Sequence, residues 1–296
     1  MPDIMGLKDI AFPHLGIYLE NVPRGFTLFG FEIAFYGLMI GIGVIMGVLM
    51  AERIAALEGM DTEIVWDFFP FAVGFSIVGA RIYYVIFSWD MYKDNLARIL
   101  NLKQGGLAIY GGVIAAFITL FVFCRIRKIS PFKLGDCGVH GLVLGQIIGR
   151  WGNFFNREVF GGYTDSVFAM RLPVDAVRPS DIAQSHLDGM AAMGDVNFIQ
   201  VHPTFLYEGI WNLCVLIGMI LYRKRKQYDG QMCLFYLGGY GIGRFFIEGI
   251  RTDRLLIPGT QIAVSQLLGM LLFIFAVTMH IVIRVRFKPN MDKAEK

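Results

Sequence analysis

Charge is what this sequence has least of. Only 17% of its residues are Asp, Glu, Lys or Arg, where a soluble domain carries about a quarter. Cysteine and histidine are scarce as well, four and five among 296 residues. The cysteines (Cys124, Cys137, Cys214, Cys233) stand far apart, each in or beside an apolar run, and no CxxC, CxxH or other ligand spacing occurs. Neither a disulfide framework nor a zinc site is expected, and the scattered histidines predict no metal. Internal repeats and low-complexity tracts are missing too. The opening Met-Pro-Asp-Ile-Met-Gly-Leu-Lys-Asp-Ile has no basic segment followed by an apolar core, so it does not read as a cleavable signal peptide.

Apolar runs fill the space that charge leaves. The chain is 55% apolar, its mean hydropathy is +0.56, and stretches of at least about 18 apolar residues, enough to cross a bilayer, recur along it. The pattern predicts an all-α polytopic membrane protein. Seven transmembrane helices are expected at roughly 28–50, 64–87, 107–123, 134–151, 205–222, 231–249 and 261–284. The net charge of +3 is gathered in short clusters between these runs, which is a topology signal and not a nucleic-acid footprint. Arg125, Arg127, Lys128 and Lys133 form one cluster, Arg223, Lys224, Arg225 and Lys226 another. Arg284, Arg286, Lys288, Lys293 and Lys296 form the third. All three belong in the cytoplasm by the positive-inside rule, which puts the N-terminus outside and the C-terminus inside. The loop with Lys93, Arg98 and Lys103 mildly disagrees. Residues of about 155–203, between helices four and five, are expected as an irregular or partly helical cap on the outer face of a single integral-membrane domain, and Asp90–Leu107 as a short interfacial element.

An ionised side chain near the bilayer centre costs about 2.5–3.5 kcal/mol on insertion scales, so charges within apolar spans are candidate functional groups. The densest cluster is Gly149-Arg-Trp-Gly-Asn-Phe-Phe-Asn-Arg-Glu-Val-Phe-Gly-Gly162. Arg150 and Asn153 share a helix face, with Asn156, Glu158 and Gly161 following. An arginine fork beside amide donors suits a phosphate or carboxylate; the bland alternative is a polar helix end. In Tyr240-Gly-Ile-Gly-Arg244-Phe-Phe-Ile-Glu248-Gly-Ile-Arg251, the four-residue spacing makes one polar stripe. Arg244 and Glu248 could simply neutralise one another, but Arg251 leaves positive charge over. Tyr110, between glycines in Gly105-Gly-Leu-Ala-Ile-Tyr-Gly-Gly, reads equally as a site residue or an interfacial anchor, whereas Tyr36 in Ala-Phe-Tyr-Gly, taken alone, reads more as an interfacial anchor than as a site residue. Arg81 needs a partner, for which Asp67 is too distant along the same helix. Glu208 adds a carboxylate, and His140 reads as a buried, hydrogen-bonded histidine. Together these describe a site for an anionic headgroup, built from Arg150, Arg244, Arg81 and Arg251, and leave enzyme and transporter both open.

In their order, several of these segments resemble the bacterial prolipoprotein diacylglyceryl transferase family. The resemblance rests on Ala34-Phe-Tyr-Gly-Leu-Met, Gly79-Ala-Arg-Ile-Tyr-Tyr, Gly105-Gly-Leu-Ala-Ile-Tyr-Gly-Gly, the run from Gly149, His202-Pro-Thr-Phe-Leu-Tyr-Glu and Tyr240-Gly-Ile-Gly-Arg-Phe-Phe-Ile-Glu, from the first span to the sixth. It implies a seven-span enzyme of the bacterial cytoplasmic membrane with its site towards the outer leaflet. Such an enzyme moves a diacylglyceryl group from phosphatidylglycerol to the cysteine thiol of a preprolipoprotein lipobox peptide, forming a thioether and releasing glycerol 1-phosphate. By matching positions, Arg150 and Arg244 would bind and polarise the phosphate. Asn153, Asn156, Glu158 and Gly161 would shape the headgroup site, Tyr36 and Tyr240 would orient lipid, and Glu248 would position Arg244. No metal or redox cofactor is implied, and no nucleic acid.

Two positions depart from the family. Many members have histidine where Tyr110 stands. A phenol with a free pKa near 10 is a poor base near neutrality, so Tyr110 acts either as a phenolate stabilised by an arginine or by orienting substrate, or else another group or water takes the proton. Orientation is the expectation, and the base stays unassigned. Phe205 replaces a frequent glutamine. The competing reading is an anionic-lipid or small-anion transporter, although internal repeats or paired broken helices, common in transporters, are not found. An intramembrane protease would need a Ser/His or paired Asp arrangement, and Ser76 has no evident histidine.

Overall fold

The structure, a computed structural model, describes residues 9–101, 105–194 and 197–291; Lys103, Lys293 and Lys296 lie outside them. Eight α-helices are described: α1 (Phe35–Leu57), α2 (Glu63–Phe87), α3 (Ile109–Arg127), α4 (Pro131–Asn156), α5 (Gln184–Met193), α6 (Thr204–Tyr222), α7 (Gln231–Ile250) and α8 (Val264–Met291). All except α5 correspond to the expected spans. By length and composition, five of these helices (α1, α2, α3, α6 and α8) are long and apolar enough to cross a membrane. The other two long helices, α4 and α7, which carry Arg150 and Arg244, fall short of that measure. Lys133, Asp136, His140, Gln146, Arg150 and Asn153 interrupt α4, and Tyr240, Arg244, Glu248 and several glycines interrupt α7. Large apolar side chains such as Ile86, Phe117, Leu221 and Phe246 are exposed along the helices, as a lipid-facing surface requires and a water-facing one rarely tolerates.

Expected as all-α, the chain also contains strands. β1 (Ile10–Phe12), β2 (Ile17–Leu19), β5 (Met170–Pro173) and β6 (Phe198–Val201) form an antiparallel sheet in the order β2-β1-β5-β6. The 155–203 segment is thus an organised αβ element whose sheet is completed by N-terminal residues that short-range pattern could not pair with it. A second hairpin, β3 (Gly25–Leu28) with β4 (Phe31–Ala34), occupies the start of the expected first span, so α1 begins at Phe35 and not near 28. Between Asp90 and Leu107 there are short 3-10 turns at Trp89–Met91 and Leu96–Leu100.

Two compact units account for the chain: one comprises residues up to Gly47, Gly141–Gln227 and Gln231 onward, the other Val48–His140 with Tyr228–Gly230. In the first, Ile10, Phe12, Phe154, Phe160, Leu172, Ile199 and Phe205 are among the side chains of one apolar core. Phe205 packs there against Phe154 (5.0 Å) and Trp151 (5.5 Å). Its α7 and α8 meet through Gly241 and Gly269: a Cβ on either would stand 2.5–2.6 Å from the other's carbonyl oxygen, so only glycine permits that approach. In the second unit Val48, Ile54, Phe123, Leu134 and Cys137 share a core.

Candidate active site

α4 ends because Arg157 turns left-handed, with φ 55°. Its amide donates to the Phe154 carbonyl (3.1 Å) and the Glu158 amide to that of Asn153 (3.2 Å), the two bonds of a Schellman closure. Glycine usually fills that position, and Val159 is left-handed too, φ 59°, so two non-glycine residues hold uncommon backbone on either side of Glu158. Arg157 is anchored by donating to the Phe155 and Val22 carbonyls (3.2 and 2.6 Å). The closure also aims side chains. Asn153 Nδ2 donates to Glu158 Oε1 (3.2 Å), Arg150 Nη1 lies 3.4 Å from Asn153 Oδ1, and Glu158 Oε2 meets Arg178 Nη2 at 2.5 Å.

Arg150 and Arg244 converge on one carboxylate, Glu208 of α6. Arg150 Nη2 lies 2.6 Å from Glu208 Oε2 and Arg244 Nη1 3.4 Å from Oε1. Arg244 Nη2 is 2.6 Å from Glu248 Oε2, one helical turn on, although no well-aligned hydrogen bond reaches that oxygen; the pair acts by charge. Arg251, just past α7, stands 3.7 Å from Glu248 and 3.9 Å from Glu208, and binds Asp253 through both carboxylate oxygens (3.0 and 2.8 Å). Burial works against ionisation of both partners. Hydrogen bonding and charge outweigh it, raising the Arg251 guanidinium further and holding the Asp253 carboxyl below its usual range. Three guanidiniums therefore face three carboxylates, and no positive charge is left over as the stripe alone suggested. Glu208 and Glu248 are buried, while the Arg150 and Arg244 side chains keep 21% and 17% of their exposure. Fixed, partly accessible arginine forks with spare N–H donors can receive an oxyanion.

Around this centre, Tyr36 packs on α4, where a Cβ at Gly152 would come 2.9 Å from its ring. Tyr240 stacks on Tyr236 (5.6 Å), whose hydroxyl accepts from Gln146 (2.9 Å). Asn156 closes α4, half-buried. Gly161 sits in a backbone tie. Its amide donates to the His202 carbonyl and that of Gly162 to Ile250 (both 3.0 Å). A Cβ there would lie 2.7 Å from the Ile250 carbonyl and 2.8 Å from His202 Cβ. His186 holds the same glycine: Nδ1 accepts from the Ala183 amide and Nε2–H donates to the Gly161 carbonyl, both at 3.0 Å. Burial lowers the His186 pKa, with the Gly161 bond opposing it.

Tyr110 belongs to the second unit, in the first turn of α3, half-exposed, with its ring 6.5 Å from Tyr83. Arg81 of that unit is not an anion ligand. It donates to the carbonyls of Arg98, Ile99, Asn101, Gly105 and Gly106 at 2.8–3.1 Å and stacks over Tyr92, so its fork is spent on the loop leading to Tyr110. Asp67, rejected as its partner, pairs with Arg127, and His140 Nδ1 bonds the Asp136 carbonyl (2.7 Å). The residue missed as a hub was Glu208. Its signal was a carboxylate in an apolar helix opposite two arginines, but sequence does not say which helices meet.

Comparison with known proteins adds an independent finding. The profile of the family described as prolipoprotein diacylglyceryl transferase matches residues 23–282. Proteins named phosphatidylglycerol–prolipoprotein diacylglyceryl transferase are similar over almost their whole length. That of Finegoldia magna is 37% identical over 272 residues, covering 92% of this chain and 98% of the relative. The Clostridioides difficile protein is 36% identical over 268 residues (90% and 98%), and the Listeria innocua protein 39% over 276 (93% and 94%).

Proposed function

This chain belongs to the prolipoprotein diacylglyceryl transferase family, and we propose that it transfers the diacylglyceryl group of phosphatidylglycerol to the lipobox cysteine of preprolipoproteins. The cysteine thiol, with a free pKa near 8.5, reacts as thiolate. Its sulfur attacks the glyceryl carbon that bears the phosphate, a C–S bond forms, and the C–O bond breaks with its electron pair staying on the phosphate oxygen. A phosphodiester monoanion becomes the monoester glycerol 1-phosphate, so charge grows on the leaving group. Arg150 and Arg244 hold that charge, and one such preorganised donor contributes about 10²–10³ in rate. The convergence of both arginines on Glu208, at 2.6 and 3.4 Å, is the observation that carries this reading: carboxylates orient the forks, and an incoming phosphate shares them with Glu208.

Glu248 positions Arg244, while Asn153, Asn156, Glu158 and Gly161 shape the headgroup pocket and Tyr36 and Tyr240 orient the lipid. Tyr110 orients substrate. The chain works as one integral-membrane catalytic domain in the bacterial cytoplasmic membrane, with seven spans, the N-terminus and the 155–203 head outside and the C-terminus in the cytoplasm. Helices α4 and α7 cross despite their polar faces because those faces are paired inwards.

The test combines purified protein, labelled phosphatidylglycerol and a lipobox peptide. A thioether-linked diacylglyceryl peptide is expected. Its absence from folded protein overturns the reading, and lipid movement across the bilayer without thioether formation favours an anionic-lipid transporter.

A further inference from the structure

The hairpin ahead of α1 has a property that the arginine site does not use. Its register pairs Gly25 with Ala34, Phe26 with Ile33, Thr27 with Glu32 and Leu28 with Phe31. Side chains alternate between faces along each strand, so one face is Phe26, Leu28, Phe31 and Ile33, and the other carries Thr27 and Glu32. Phe29 and Gly30 make the turn, with φ of 49° and 82°. Two positive values mark the mirror-image turn that fits the hairpin twist, for which Asn-Gly or Asp-Gly is favoured. Phenylalanine at the first place is disfavoured, because a bulky L residue avoids left-handed backbone. Turn geometry alone does not account for it. Among the described residues Phe29 is the most exposed large apolar side chain, at 91%, and Phe31, on the apolar face of the hairpin, is exposed at 76%.

What covers these rings is indicated by where the hairpin is tied. β4 ends at Ala34 and α1 starts at Phe35 with no residue between. The Phe35 amide donates to the Arg24 carbonyl (2.8 Å), and Phe26 packs on Phe35 (5.6 Å), so the apolar face continues onto a helix long and apolar enough to cross a membrane. Strands of four residues extend only about 13 Å. The tip therefore stays near the level at which α1 leaves the hydrocarbon, where aromatic rings are favoured.

We propose that the β3–β4 hairpin is an interfacial membrane anchor, lying on the lipid surface at the N-terminal end of α1. Phe26, Leu28, Phe29 and Phe31 sit in the headgroup–acyl boundary, and Thr27 and Glu32 face water. The anchor sets the depth of the start of α1, and with it Tyr36. It requires only that α1 cross the bilayer, and is independent of the chemistry at Arg150 and Arg244.

Phe29→Trp, Phe31→Trp and Thr27→Trp, each in the full-length protein in phosphatidylglycerol-containing nanodiscs, test this by fluorescence difference from the parent, which has four tryptophans. Phe31 lies on ordinary strand backbone, so its variant keeps the test open if position 29 resists substitution. At 29 and 31 the added emission is expected to be blue-shifted, quenched by acyl-brominated lipid and shielded from acrylamide. At 27 it is expected to be acrylamide-accessible. Acrylamide access at 29 and 31 with no quenching by brominated lipid overturns the proposal. So does shielding that arises only when a lipobox peptide is added, which makes the hairpin a peptide-docking element instead.

Discussion

Replacing Glu208 by glutamine probes the centre of the arginine network. The change keeps the shape and an acceptor but removes the charge that Arg150 meets at 2.6 Å and Arg244 at 3.4 Å. Three guanidiniums would then face only Glu248 and Asp253, leaving one positive charge uncompensated. Removing one partner of a buried pair costs about 3–5 kcal/mol. Because Arg150 and Arg244 keep 21% and 17% side-chain exposure, water recovers part of this, and a loss of about 3 kcal/mol is expected. In the transfer reaction the two forks lose their common reference, so kcat should fall by about 10², the lower end for losing one oriented donor. The KM for phosphatidylglycerol should fall too, since surplus positive charge favours the ground-state phosphodiester anion. The assay pairs steady-state transfer to a lipobox peptide, over a range of phosphatidylglycerol, with thermal melting in the same detergent. A variant with the parent's melting temperature and a kcat within about twofold would refute the claim that Glu208 orients the arginines. A higher KM with kcat unchanged would refute the charge argument.

Other groups give further outcomes. Tyr110→Phe should retain substantial turnover in the same assay, and a loss beyond about 10³ would point to proton transfer or an essential phenolic hydrogen bond. Arg81→Met leaves five carbonyls without their donor; at about 1–3 kcal/mol for each that stays buried and dry, destabilisation of at least about 3 kcal/mol is expected, read as a lower melting temperature with new proteolytic cleavage between Tyr92 and Gly106. His186 gives a pH dependence. Its folded pKa lies below the ordinary 6.5, so the unfolded chain binds more protons and stability rises with pH. The contribution is fully present above 6.5 and lost as pH falls through the lower folded value. Hydrogen exchange at the Gly161 and Gly162 amides should accelerate over that acid window, and His186→Gln should flatten the profile.

The membrane character and the helices were legible because both are local properties. An apolar run of bilayer length needs no partner to be recognised, so α2 and α6 fell within a residue of their expected bounds. Where local pattern misled, two structures shared one composition. Phe26 to Ala34 is apolar enough to pass as the start of a span, yet the positive-φ turn at Phe29-Gly30 folds it into a hairpin. Arg81 shows the converse limit. A buried arginine signals the need for acceptors, but not whether these are a substrate phosphate or five backbone carbonyls.

By itself, then, the sequence determined the apolar helices, the spacing that lines up Tyr240, Arg244 and Glu248, the proximity of Arg150 and Asn153, and the motifs that mark the family. These depend on the 3.6-residue turn and on neighbours within a few positions. Tertiary structure alone decided that Arg150 and Arg244 meet at Glu208, that Arg251 and Asp253 balance the charge, and that residues 10–19 complete the sheet with 170–173 and 198–201. Coulomb attraction and hydrogen bonding act over a few ångströms of space, and chain distance carries no information about which charges will be that close once helices pack.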